Sequence, residues 1–104
     1  MTDILATPKG RVIKGADGTD YILAPFNLNS IANIEQEFDC EIDDLLERLN
    51  TKAYTQLRKL LWVLLQENYP GIKLIDVGKL VEFNRTQVKA IFAEITAMFE
   101  ELNK

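Results

Sequence analysis

TQLRKLLWVLLQENYPG, residues 55–71, is the stretch around which the rest of this chain has to be arranged. Residues 60–65 (LLWVLL) are all apolar, and Ala53, Leu57 and Tyr69 extend that character at helical spacing. A helix that is apolar over most of its circumference must be covered on several sides. The run is far shorter than the roughly 20 apolar residues that span a bilayer, and Arg58, Lys59 and Glu67 stand close to it. The stretch therefore predicts a buried central helix over about 55–68. Pro70 and Gly71 stop it, because proline disfavours helix in the residue before it and glycine opens a turn.

Working outward, the N-terminal side changes period. Residues 1–8 have no periodicity and read as a loose arm. Residues 11–14 (RVIK) and 20–24 (DYILA) are rich in β-branched and aromatic side chains, and the Asp17-Gly18 pair between them suits a tight turn. Residues 9–26 thus predict a β-hairpin with apolar side chains on both faces. Such a ribbon is marginal alone, so it lies on the helices or pairs with another chain. Asn27 or Asn29 can cap a helix to about Phe38, with Leu28, Ile31, Ile34 and Phe38 as its stripe. Asp39 offers a cap for a second helix carrying Ile42, Leu45, Leu46 and Leu49. Asn50 and Thr51 break that pattern before the central helix.

Beyond Gly71, residues 75–83 read as a short helix with Val77, Leu80 and Val81 inward. Asn84 can cap a last helix with Val88, Ile91, Phe92, Ile95, Phe99 and Leu102 on one face, and Lys89, Glu94, Glu100 and Glu101 on the other. The expected fold is α+β, mainly α: one domain over 1–104, a hairpin and then a helical part, 27–104, of four to five helices around the central one.

The totals narrow the chemistry. With 104 residues and 47% hydrophobic content a core closes without staples. There is no histidine, which removes His-based acid–base catalysis, Ser-His and Cys-His pairs and His metal sites. The single cysteine, Cys40, cannot form an intrachain disulfide, which fits a reducing compartment. No basic segment followed by an apolar one opens the chain, so a cytoplasmic location is expected. The net charge of −4 speaks against general nucleic-acid binding, yet it is unevenly spread. Residues 27–50 hold seven acids and one base, and residues 51–93 hold seven bases and three acids.

Four constellations invite specific chemistry. An EF-hand loop from Asp39 would need glycine sixth and glutamate twelfth, where Asp44 and Asn50 stand. The acidic run is read instead as the solvated face of two amphipathic helices, with no metal. Nothing puts two of its carboxylates in an apolar pocket, so a hydrolytic pair has no basis. Residues 15–18 lack the ending of a phosphate loop, and Cys40 has no histidine as base. No cofactor and no enzymatic activity are expected. The fourth is a helix-turn-helix over 75–91, with Asn84, Arg85, Thr86, Gln87 and Lys89 as base and phosphate readers. Glu82 in the turn and the acidic chain count against it, and this DNA-binding regulator is kept as the alternative.

The order of features resembles a known family. A Gly-containing hairpin ends in Tyr21-x-Leu23, an early helix carries Ile34-Glu35, and a short leucine helix follows. Then comes LRKLLWVLLQENYPGIKLIDVGKLV, residues 57–81, and a final amphipathic helix. This is similar to the tail assembly chaperones of long-tailed bacteriophages, prophages and gene transfer agents, over about residues 11–102. Residues 73–76 depart from the acidic stretch usual there. The resemblance implies a non-catalytic protein of the host bacterial cytoplasm. It would coat the helical tape measure protein while the tail tube polymerises, self-associate, meet the tail tube protein, and have a longer frameshifted form. Contacts with client and with other copies are expected at the hairpin, through Val12, Ile13, Tyr21, Ile22 and Leu23, and at apolar positions left over on the central and last helices.

Overall fold

The structure, a computed structural model, describes residues 11–49, 52–81 and 85–102. Two strands, β1 (Val12–Lys14) and β2 (Asp20–Ile22), form an antiparallel hairpin in the register Val12–Ile22, Ile13–Tyr21 and Lys14–Asp20. Five helices follow: α1 (Leu28–Phe38), α2 (Ile42–Leu49), α3 (Ala53–Gln66), α4 (Leu74–Leu80) and α5 (Arg85–Leu102). The fold is α+β and mainly helical. The loose arm expected at 1–8, the break at Asn50 and Thr51, the turn at Glu82 and Phe83, and the Asn84 cap lie outside the described residues.

The central helix is α3. Leu57, Leu60, Leu61, Val63, Leu64 and Leu65 are buried on it, and it packs against α1, α2 and α4. Its exit is fixed by side chain as well as by proline. The Tyr69 N–H continues to the Leu65 carbonyl at 2.8 Å, Gly71 takes φ of +89°, and Trp62 Nε1 donates to the Ile72 carbonyl at 3.1 Å. Helix α5 closes the core with Val88, Ile91, Ile95, Met98 and Phe99. Met98 is part of that face although the sequence reading favoured Phe92, which is half-buried, and Leu102, which is 37% exposed.

The entry to α1 is a reciprocal cap. Asn27 Oδ1 accepts the Ser30 N–H at 3.0 Å, and Ser30 Oγ accepts the Asn27 N–H at 2.8 Å while donating to the Pro25 carbonyl at 2.7 Å. Those three bonds satisfy Ser30, which is buried. Two expectations change here. Leu28 is not in the core: at the first position of α1 it is 84% exposed, because the cap fixes its backbone on the outer side. Asp39 is not the cap of α2 either, since it ends α1 in the left-handed region at φ 53°. The first N–H of α2, at Ile42, is taken by Glu35 Oε2 reaching across from α1 at 3.1 Å. Leu45 and Leu49 of α2 are buried and Ile42 packs against the core; the Leu46 side chain lies outside what is described.

The hairpin is fixed to the helices along its length. The Ala24 N–H donates to the Leu64 carbonyl at 3.0 Å, and the Ala16 N–H to the Leu80 carbonyl. Arg11 pairs with Glu94 at 2.9 Å and with Glu101, seven residues further along α5. Within the turn Gly18 supplies φ of +83° and Asp17 Oδ1 accepts the Thr19 N–H at 2.9 Å.

Candidate partner-binding site

The hairpin alternates cleanly: Val12 out, Ile13 in, Lys14 out. Ile13 is 4% exposed and Leu23 is wholly buried, so both belong to the chain's own core and have no surface left for a partner. Tyr21 is half-buried, with its ring edge-on to Tyr69 at 5.6 Å between centroids. Ile22 is half-buried, and of the five residues only Val12, 50% exposed, presents an apolar side chain freely. The two-sided apolar pattern read from the sequence thus resolves into an inner face of core and an outer face where Val12 and Ile22 sit beside a Lys14–Asp20 ion pair of 3.3 Å.

The backbone edges tell the same story. The Leu23 N–H donates to the Arg11 carbonyl and the Gly15 N–H to the Thr19 carbonyl, both at 2.8 Å. Odd-numbered residues of β1 therefore face β2, and the backbone groups of Val12 and Lys14 face outward. On the β2 edge the Ile22 N–H donates to Tyr69 Oη at 3.0 Å, and Asn68 Nδ2 donates to the Ile22 carbonyl at 2.9 Å. On the β1 edge Gln87 Nε2 donates to the Lys14 carbonyl at 2.7 Å. Among the described residues these bonds occupy both outward groups of Ile22 and the Lys14 carbonyl, which shortens the edge open to strand addition.

A second surface lies on the helices, and it involves the central and last helices, where the sequence reading also expected contacts, without the residues having been named. Between α3 and α4 runs a groove of 340 Å³. Tyr54, Leu57, Arg58 and Leu61 form its α3 wall. Val77, Gly78 and Val81 form the opposite one, with Val88 of α5 at its end. Leu57, Leu61, Val77 and Val88 are buried core residues that form its floor, and the groove opens to solvent at Tyr54, 58% exposed, and at Gly78. The missing side chain at Gly78 leaves this part of the groove unfilled: a Cβ there would meet nothing nearer than Arg58 Cδ at 3.4 Å. From Tyr54 to Leu61 the wall is about 10 Å long at the helical rise of ~1.5 Å per residue, two turns of a docked helix.

The groove belongs to the basic half of the chain. Arg58 lines it, and on α5 the exposed Arg85 and Lys89 stand three residues before Val88 and one after. Among the described residues none of these three cations has an ion pair. The acids lie elsewhere: Glu37, Asp39, Glu41, Asp43, Asp44 and Glu47 are exposed on α1, α2 and the turn between them. Among the described residues no group of three or more acidic or cysteine side chains is arranged to hold a metal, and Cys40 packs half-buried against the core. No described helix is long and apolar enough to cross a membrane.

Of the residues expected to read DNA, Arg85, Thr86 and Lys89 are exposed on α5, whereas Gln87 is engaged at the Lys14 carbonyl. Titration is perturbed mainly in the hairpin. The Thr19 N–H bond holds the Asp17 carboxyl below its ordinary range. Desolvation, with Asp17 alongside, pushes the Tyr21 phenol up. These shifts belong to the turn and lie away from the groove. The chain matches no protein-family model, no curated protein and no solved structure.

Proposed function

We propose that this chain is a phage or prophage tail assembly chaperone, a non-catalytic protein that covers an apolar stripe of the tape measure protein before the tail tube encloses it. The observation that carries this reading is the α3–α4 groove, a slot of about two helical turns whose rim exposes Tyr54, Arg58 and Gly78 over a buried apolar floor. A helix laid in it meets Tyr54, Gly78 and Val81 at the rim with side chains at i, i+3 or i+4, and i+7. An extended helical client with uncovered apolar stripes aggregates unless many small modules cover them. The order of motifs across residues 11–102 supports the same reading.

The DNA flanking the reading frame tests it. A slippery run near its end, followed by a very long gene for heptad-patterned helix, is the expected finding. Metabolic or regulatory neighbours would remove the chaperone reading. The alternative, a small DNA-binding regulator, is favoured by exposed Arg85 and Lys89 at the start of α5. It requires salt-sensitive binding to duplex DNA that Arg85→Ala and Lys89→Ala abolish; no shift of any duplex at low salt eliminates it.

A further inference from the structure

We infer that the stretch of client taken by the α3–α4 groove is an acidic amphipathic helix, with its apolar side chains on the rim and its carboxylates on the cations around it. The inference rests on the groove being the client site and adds the kind of helix that the groove selects. Because the apolar floor is buried, contact is made at the rim. Tyr54 is 58% exposed there, and Ile75, 62% exposed, stands three residues before Gly78 on the same side of α4. Two such side chains are a small apolar surface, and a partner held by them alone would be bound weakly and with little selection.

Charge supplies the selection. Arg58 lines the groove, Lys79 follows Gly78 on α4, and Arg85 and Lys89 bracket Val88 at the groove's end. All four are exposed, and among the described residues none has an ion pair. Arg85 and Lys89 are ~6 Å apart along α5, the step between carboxylates at i and i+4 of a facing helix. Among the described residues no acid lines the groove. Asp76 Oδ2 instead accepts the Lys73 N–H at 3.1 Å at the start of α4, and Glu94 is held by Arg11. Glu67 is nine residues past Arg58, ~13 Å along the helix, and Glu82 lies outside the described residues. A face that meets only solvent normally mixes both signs of charge. This one, in a chain of net charge −4, shows cations alone among its described residues. A field of one sign speeds the encounter with an oppositely charged partner and turns away a like-charged one.

Fluorescence anisotropy with three labelled helical peptides tests it, all with the same leucine–alanine stripe and with glutamate, glutamine or lysine on its flanks. The full chain is titrated as wild type, as Gly78→Leu, and with Arg58→Gln, Arg85→Gln and Lys89→Gln combined. Wild type is expected to bind the glutamate peptide about tenfold more tightly than the glutamine one, a preference that shrinks in high salt, and to leave the lysine peptide free. The combined variant loses that preference and still binds the glutamine peptide, because Tyr54 and Ile75 are untouched. Gly78→Leu weakens the binding of both. A circular dichroism spectrum like that of wild type establishes that each variant is folded; Tyr54→Ala replaces Gly78→Leu, and Arg85→Gln with Lys89→Gln replaces the triple change, where one is not. Equal binding of the glutamate and glutamine peptides, both weakened by Gly78→Leu, overturns the charge selection and leaves the groove as the client site. A glutamate preference that survives the combined variant overturns it too, by placing the acid contacts elsewhere. Peptides that fail to bind wild type, or bind Gly78→Leu equally well, remove the groove reading and the inference with it. Duplex DNA that displaces the glutamate peptide from wild type and binds more tightly assigns the cations to nucleic acid and overturns the inference.

Discussion

Tyr21 and its neighbours are where single groups decide local behaviour. Its phenol is raised first by desolvation and then by Asp17, while Asp17 is lowered chiefly by the Thr19 N–H. A carboxyl held below its ordinary value contributes stability above the unfolded carboxylate pKa, and the contribution is lost as the pH falls through the folded value. A phenol held above its ordinary value contributes below the unfolded tyrosine pKa, and that is lost as the pH rises through the folded one. Asp17→Asn removes both the charge and the acceptor, so Tyr21 should titrate lower than in wild type yet above a free tyrosine, because desolvation remains. An NMR titration of the ring resonances reads this directly; an unchanged Tyr21 contradicts it. Tyr69 has a different role, since its hydroxyl accepts the outward Ile22 N–H. Tyr69→Phe leaves that donor without its acceptor and should cost about 1 kcal/mol in urea unfolding.

At the scale of elements, the readable part was what periodicity records. The run from Leu60 to Leu65 places α3 whatever surrounds it, and Asp17-Gly18 gives the hairpin turn. Asp39 shows where local signals stop: a short polar side chain suits an N-cap and a left-handed helix end equally. The choice between them is made by Glu35, which takes the Ile42 N–H from another helix. Leu28 continues the stripe of α1 on a helical wheel, but the cap begins the helix with that residue beyond the reach of the core. Met98 carried a signal of its own, at i+3 from Ile95 and i+7 from Ile91. Energetically, Leu60→Ala should cost 2–5 kcal/mol, roughly the range for a truncated core leucine, because Leu60 has no exposed surface. Gly78→Ala should instead stabilise by about 0.5–1 kcal/mol through helix propensity, since its Cβ meets only the flexible Arg58 stem. Urea melts of both variants check the opposite signs.

For the whole molecule, the sequence pointed to the central and last helices as contact surfaces but gave neither the groove's residues nor its α4 wall. Leu57, Leu61, Val77 and Val88 read as core because they are core; the slot above them depends on Gly78, which places no side chain there, and on the path of the chain from Trp62 to Val81. The hairpin, which the sequence offered as the contact surface, is largely used up in folding: Ile13 and Leu23 are buried, and the edge of β2 is capped by Tyr69 and Asn68. The charge asymmetry was legible, and the structure gives it direction: Asp44 and Glu47 of α2 adjoin Gln56, which is about 200° round α3 from Tyr54 on the groove wall. Val12→Lys, at the open part of the β1 edge, should therefore leave stability within about 0.5 kcal/mol, as for other exposed positions, and leave client handling unchanged.

The most direct test is the soluble fraction of the long heptad-patterned client, co-expressed with wild type, with Gly78→Leu or with Val12→Lys. Wild type and Val12→Lys should keep the client soluble and co-purify with it, while folded Gly78→Leu should leave it in the pellet. A client kept equally soluble by Gly78→Leu, or lost with Val12→Lys alone, contradicts the groove as the binding site.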